Sequence, residues 1–256
     1  MLKVMGELIG ITGAIGSGKS TVAELLGQLV QNHARYETSG PIIEVANRFN
    51  QLLEAELNFE TTDEDIELVN QVLIWMPDII SEYLHHDVTW TQIAINPKDM
   101  RVHPELYEKL LSYITRVRGD HSVVEKTITA ENKNDYRELL QWIGGYFIVK
   151  ISPTIWFDEL IRRIDMHEQF RDLVVIGGVR YLRDAEIIKQ NNGRIVRVVR
   201  PGVQQQANDV TEAEHDKIHA DITISNNGTL EQLQLVLESV WNDIAAGNPK
   251  KEYSAT

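Results

Sequence analysis

The chain has 256 residues, and 25 Lys+Arg against 38 Asp+Glu give a formal net charge of −13. With 43% hydrophobic residues it can bury a real core, and with no cysteine it excludes a disulfide scaffold, thiolate zinc sites and thiol catalysis. The acid surplus argues against nonspecific electrostatic binding to nucleic acid; lacking a signal peptide and any apolar run of about 18 residues, the chain is expected in the cytoplasm, off the membrane.

Residues 8–12 are apolar and β-branched and predict a buried strand ending in a glycine-rich turn. Residues 20–30 place Val22, Leu25, Leu26 and Leu29 on one helical face. A mixed stretch over 36–57, broken at Ser39-Gly40-Pro41, passes into helical periodicity. Thr62 with Asp65 three residues on reads as a helix start, and 66–84 is apolar at helical spacing, as core or as the face of a homodimer. Residues 85–103 read as irregular, 104–116 as a helix and 118–133 as a polar loop; a helix near 135–143 is expected to stop at Gly144-Gly145. Strand and helix then alternate, with strands at 173–176, 194–199 and 221–224 and helices at 184–190 and about 230–245. The tail from Gly247 is expected to fray. Alternation at both ends predicts an α/β class with a parallel sheet flanked by helices, built from 1–49 and 134–256. Residues 50–133 form a mostly helical insertion in this reading.

One motif carries chemistry. Gly13-Ala14-Ile15-Gly16-Ser17-Gly18-Lys19-Ser20 fits G-x-x-x-x-G-K-[ST] in full. Its four fixed positions match by chance in roughly one chain of this length per hundred. Here the match also lies between a predicted strand and helix, so a bare glycine-rich turn is the weaker reading. The glycines allow a nest of inward N–H groups, and the following helix adds the positive end of its dipole. In a nucleoside triphosphate site of this kind, Lys19 reaches the β- and γ-phosphates and the Ser20 hydroxyl ligates Mg²⁺. The donor-binding candidates are Gly13, Ala14, Ile15, Gly16, Ser17, Gly18, Lys19, Ser20 and Thr21.

Other signals narrow the class. The Asn-Lys-x-Asp of a GTPase is missing, and the strand at 173–176 runs on into Gly177-Gly178-Val179-Arg180 rather than the acidic pair of a motor. An arginine at the carboxyl end of a central strand points to the crevice where open α/β sheets bind ligands, and guanidinium suits phosphate. Arg180 therefore favours phosphoryl transfer between two phosphorylated substrates. The eight histidines show no H-E-x-x-H spacing, and Asp63, Glu64, Asp65 and Glu67 read as a solvated helix start.

The segment from Ile11 to Thr21 resembles small-metabolite kinases, including dephospho-coenzyme A kinase. Gly178-Val179-Arg180-Tyr181, Asp184-Ala185-Glu186 and Val198-Val199-Arg200-Pro201-Gly202 are more similar to the phage-type deoxynucleoside monophosphate kinases. So are Thr211-Glu212, the run from Asp221 to Leu230, and Arg137, Leu140, Gln141 and Gly144 followed by Trp156. About half the chain matches in order, and 50–133 matches nothing. The resemblance implies a P-loop kinase with a five-stranded parallel core, a helical insertion for the nucleotide acceptor and a lid over about 200–219. It implies that Arg180 and Arg137 hold the acceptor phosphate, that Gln141 lies near the acceptor nucleotide, and that Arg200 joins Lys19 and Arg180 in catalysis. Trp156 is either core or a platform for a base. The expected reaction takes the γ-phosphoryl group of ATP, with Mg²⁺, to a (deoxy)nucleoside monophosphate. The alternatives are a hydroxyl acceptor such as dephospho-coenzyme A, whose kinases carry acidic stretches not recognised here, and a non-kinase ATPase or regulatory protein. Two positions and one segment depart from the family pattern: Gly178 stands where many members carry an acidic residue that helps hold magnesium, Ile43 where lysine is usual, and the lid is poor in arginine.

Overall fold

In the computed structural model, which describes residues 6–56, 73–85, 102–202 and 217–255, the apolar runs pair into one six-stranded parallel sheet. Its strands are β1 (Glu7–Thr12), β2 (His33–Glu37), β3 (Leu173–Gly177), β4 (Arg194–Val199), β5 (Ile222–Asn226) and β6 (Glu252–Ala255), in the order β2-β3-β1-β4-β5-β6. The chain divides into two compact units, Met1–Thr38 with Leu160–Thr256, and Ser39–Glu159. The expected insertion, 50–133, falls within the second unit, which also takes in 39–49 and 134–159.

The sheet unit follows from burial on two faces. Every residue of β3 is buried, as befits a strand covered on both sides. Helix α1 (Lys19–Gln28) packs Val22, Ala23, Leu25 and Leu26 against Ile9, Ile11, Val175 and Val198. The C-terminal helix joins the same cluster through Leu233, Leu237, Val240 and Ile244. That helix, Leu230–Ala245, starts as a capping box: Thr229 Oγ1 accepts from the Gln232 amide and Gln232 Oε1 accepts from the Thr229 amide.

Two strands escaped the sequence reading. The segment of β2, His-Ala-Arg-Tyr-Glu, is only half-buried and lacks an apolar run, because it lies at an edge of the sheet. The tail does not fray. It forms β6 on the other edge, with Tyr253 and Ala255 turned inward, and the Tyr253 hydroxyl donates to Asp243 at 2.9 Å. The sheet therefore has six strands, not the five that the resemblance implied. A polar network pins β2 to the turn before β3. The Tyr36 hydroxyl donates to Glu168 at 2.8 Å, Arg171 Nε donates to the same carboxylate at 2.6 Å, and Arg171 also reaches Asn32 at 3.1 Å. Burial, reinforced by Glu168, pushes the Tyr36 hydroxyl up to about 12. Burial alone would raise the Glu168 carboxyl, but the hydrogen bonds from Arg171 and Tyr36 outweigh it and hold the group below its ordinary range.

The second unit is helical. It contains α2 (Gly40–Glu56), α3 (Met76–Leu84), α4 (Pro104–Gly119), the short α5 (Ser122–Glu125), a 3-10 turn (Lys133–Tyr136) and α6 (Arg137–Lys150). The next helix, α7 (Ile155–His167), crosses the division between the units. Helix α6 runs through Gly144-Gly145 instead of stopping there. A Cβ on Gly145 would lie 2.8 Å from Leu106, so this glycine serves close packing against α4. Each helical glycine costs about 1 kcal/mol against alanine, whereas burying Tyr146 and Phe147 beyond them returns about 1.5–3 kcal/mol each. Trp156 belongs to this core: it is 6% exposed, its ring N–H donates to the Gly144 carbonyl at 2.9 Å, and Phe147 meets it edge-on. The apolar stripe of α3, Met76, Ile79, Ile80 and Leu84, is likewise buried. The expected Thr62 cap, the acidic residues at 63–67 and most of the expected lid, 203–216, lie outside the described residues.

Candidate active site

The loop after β1 is shaped by glycines at positive φ, with Gly13 at 146°, Gly16 at 83° and Gly18 at 96°. Gly18 is the N-cap of α1, and a left-handed backbone there costs other residues about 1–2 kcal/mol. A second constraint acts at the same position. The buried Asn226 side chain, at the carboxyl end of β5, donates to the Ser17 carbonyl at 3.0 Å, and a Cβ on Gly18 would sit 2.4 Å from its Nδ2. On the β4 side, a Cβ on Gly13 would lie 2.3 Å from the Val198 carbonyl oxygen. The loop is thus seated on the ends of two strands, and the Ser17 amide closes it by donating to Ala14 at 3.2 Å.

Its donors suit phosphate. Lys19 Nζ donates to the Ala14 carbonyl at 2.6 Å, which holds the ammonium over the loop. The first turn of α1 contains no acidic residue, so nothing in that turn offsets the positive end of the helix dipole. Thr12 Oγ1 and Ser17 Oγ are buried and find no hydrogen-bond partner among the described residues. A buried orphan hydroxyl costs about 1–3 kcal/mol, which a ligand oxygen would relieve. Ser20, in the same turn, is exposed and offers a hydroxyl. Among the described residues no three His, Asp or Glu side chains converge to hold a metal. One hydroxyl with phosphate and water oxygens is nevertheless an ordinary donor set for Mg²⁺, which commonly keeps few protein ligands, so the site fits the ion.

The structure brings the other sheet-borne candidates to the same edge. Arg180 lies three residues beyond β3, with Val179 N donating to Ile11 O at 3.0 Å, and its side chain is exposed. Arg200 follows β4, two residues beyond the Val198 carbonyl that abuts Gly13, and is also exposed. Neither arginine makes an ion pair among the described residues. Arg137 and Gln141 belong to the helical unit, at the first and fifth positions of α6. Both are exposed on one helical face, and Gln141 Oε1 accepts from Lys109 at 2.8 Å.

Two residues at this edge were not singled out from the sequence. Asn226 lay within the run from Asp221 to Leu230 with no role of its own, although its amide donates to the Ser17 carbonyl of the P-loop. Glu37 sat in a segment not recognised as a strand; its carboxylate now caps β2 beside Gly177 and pairs with Arg35 at 3.1 Å. Sequence comparison agrees with this arrangement. The family model for deoxynucleotide monophosphate kinase matches residues 7–236. A deoxynucleotide monophosphate kinase of Escherichia phage RB69 is 22% identical over 259 residues, covering 91% of this chain and 99% of that protein. A match that spans β1 to β5, the P-loop and both arginines identifies the chain as a member of the deoxynucleotide monophosphate kinase family, and so as a phosphotransferase.

Proposed function

We propose that the protein transfers the γ-phosphoryl group of ATP to the phosphate of a deoxynucleoside monophosphate, giving ADP and the deoxynucleoside diphosphate. The observation that carries this reading is the convergence, along one edge of the sheet, of a seated P-loop with two exposed arginines. The loop suits a donor triphosphate and the arginines suit a second phosphate group. An acceptor oxygen attacks the γ-phosphorus, and the bond to the β–γ bridging oxygen breaks, leaving its electron pair on ADP. That acceptor oxygen is already anionic near neutral pH, so no general base is needed. The task left to the chain is positioning and charge neutralisation.

In this reading the nest of Gly13 to Gly18 binds the β- and γ-phosphates, and Lys19 turns from the Ala14 carbonyl to the transferred group. Ser20 holds Mg²⁺, which when bound spreads the phosphate charge. Arg180 aligns the acceptor phosphate, and Arg200 adds positive charge beside the loop. Arg137 and Gln141 present a guanidinium and an amide on one helix face, chemistry that suits the phosphate and base edge of a nucleotide. A coupled ADP-release assay across deoxy- and ribonucleoside monophosphates, with dephospho-coenzyme A as a hydroxyl acceptor, tests the proposal. Turnover that depends on a deoxynucleoside monophosphate is expected; turnover with dephospho-coenzyme A alone, or ATP hydrolysis without any acceptor dependence, overturns it.

A further inference from the structure

Position 178 is glycine with φ at 76°, a left-handed conformation that disfavours a side chain there. The space it would command is not empty of charge. Glu37 lies opposite Gly177 in the register of β2 with β3. A Cβ on Gly177 would be 2.4 Å from Glu37 Oε1, so the carboxylate lies over the glycine. Arg35 takes Oε1 at 3.1 Å, while Oε2 points toward Gly178, 3.4 Å from where its Cβ would be.

Three observations put this carboxylate beside the first turn of α1. Strand alternation puts Gly177 on the same face as Leu173 and Val175, which pack with the α1 residues Val22 and Leu26. A Cβ on Gly27, late in α1, would lie 2.9 Å from His33 at the start of β2, so helix and strand touch there. From that contact, Ser20 lies seven residues back along the helix, about 10 Å, and Glu37 four residues along the strand, about 13 Å. The hydroxyl and the carboxylate therefore reach the same level of the carboxyl edge.

We propose that Glu37 is a metal-positioning residue: its carboxylate, supplied by the end of β2, holds the Mg²⁺ of the bound nucleotide at the P-loop. This rests on the P-loop reading above. It assigns Gly177 the role of making room for the carboxylate and Arg35 that of orienting it.

Mn²⁺ is the probe, titrated into the protein with saturating ADP and followed by electron paramagnetic resonance, with ADP affinity measured separately in EDTA. Glu37→Gln is expected to weaken Mn²⁺ affinity of the ADP complex by about tenfold or more, a usual cost for losing such a support, with metal-free ADP affinity unchanged. Gly177→Ala, which displaces the carboxylate but keeps its charge, is expected to weaken Mn²⁺ in the same direction. Arg35→Gln, which breaks the ion pair but leaves the carboxylate, should cost less than Glu37→Gln. Mn²⁺ affinity within twofold of wild type in Glu37→Gln overturns the role while leaving the P-loop reading intact. Loss of turnover in that variant with normal Mn²⁺ binding also overturns it, and points to a base for a hydroxyl acceptor. Failure of the wild-type protein to bind ADP defeats the P-loop reading itself and the proposal with it.

Discussion

Gly18→Ala is the substitution whose consequence can be worked most fully from the structure. Alanine at φ 96° and ψ 19° bears about 1–2 kcal/mol of left-handed strain. Its Cβ would also meet Asn226 Nδ2 at 2.4 Å, so the amide must swing away and release the Ser17 carbonyl that it holds at 3.0 Å. Leaving that buried acceptor unpaired adds about 1–3 kcal/mol. Together these give about 2–5 kcal/mol, a large share of the 5–15 kcal/mol typical of a folded protein but short of unfolding it. Chemical denaturation of Gly18→Ala, Asn226→Ala and the double variant measures this directly. If Asn226 is the obstacle, Gly18→Ala costs only its backbone strain once residue 226 is alanine, and the cycle shows a coupling of about 1 kcal/mol or more. Additivity within about 0.5 kcal/mol would refute the account of how the loop is seated.

Arg180→Ala should lower kcat/KM for the acceptor by about 10–100-fold, the worth of charge-assisted hydrogen bonds of about 1.5–3 kcal/mol, with ATP affinity changed less than twofold; an isolated loss of ATP affinity, read by calorimetry, contradicts its role. The Glu168 carboxyl is held below its ordinary value of 4.5 in the folded protein, so its stabilisation is present above about pH 4.5 and is lost as pH falls through the lowered value. Glu168→Gln should accordingly be less stable than wild type near neutrality and converge with it in acid; a thermal-shift difference that is constant with pH contradicts this. Deleting residues 248–256 removes β6 and exposes the core side of β5, with Tyr253 alone worth about 1.5–3 kcal/mol of burial. A drop in Tm of several degrees is expected, and an unchanged Tm would mean that the strand contributes nothing in solution.

The elements that the sequence announced are those with enough buried apolar residues to form a pattern. The strand at 173–176 lies inside the sheet, covered on both faces, and appears as an unbroken apolar run, while the interior strand at 194–199 keeps four apolar residues around Arg197. The final helix carried a capping box and a clear apolar face, and its observed bounds, Leu230–Ala245, are those expected. Edges were harder. β2 and β6 are half-covered and short, so their apolar residues are too few to form a pattern, and Glu37 was hidden with β2. The stop expected at Gly144-Gly145 failed for a different reason: tight helix packing and helix termination both use glycine, and only Leu106 and Ile42 beside those glycines decide between them. The P-loop was legible because its residues are consecutive. Asn226 was not, because it lies 209 residues from the carbonyl it holds and only the strand order brings the two together.

The central claim is that this edge of the sheet moves a phosphoryl group from ATP to a nucleotide phosphate. The most direct measurement gives the protein ATP labelled in its γ-phosphate, with Mg²⁺ and a deoxynucleoside monophosphate, and identifies where the label goes. The account predicts label in the β-phosphate of the deoxynucleoside diphosphate, at a rate that Lys19→Ala abolishes. Label found only in inorganic phosphate, or unchanged transfer by Lys19→Ala, would contradict it.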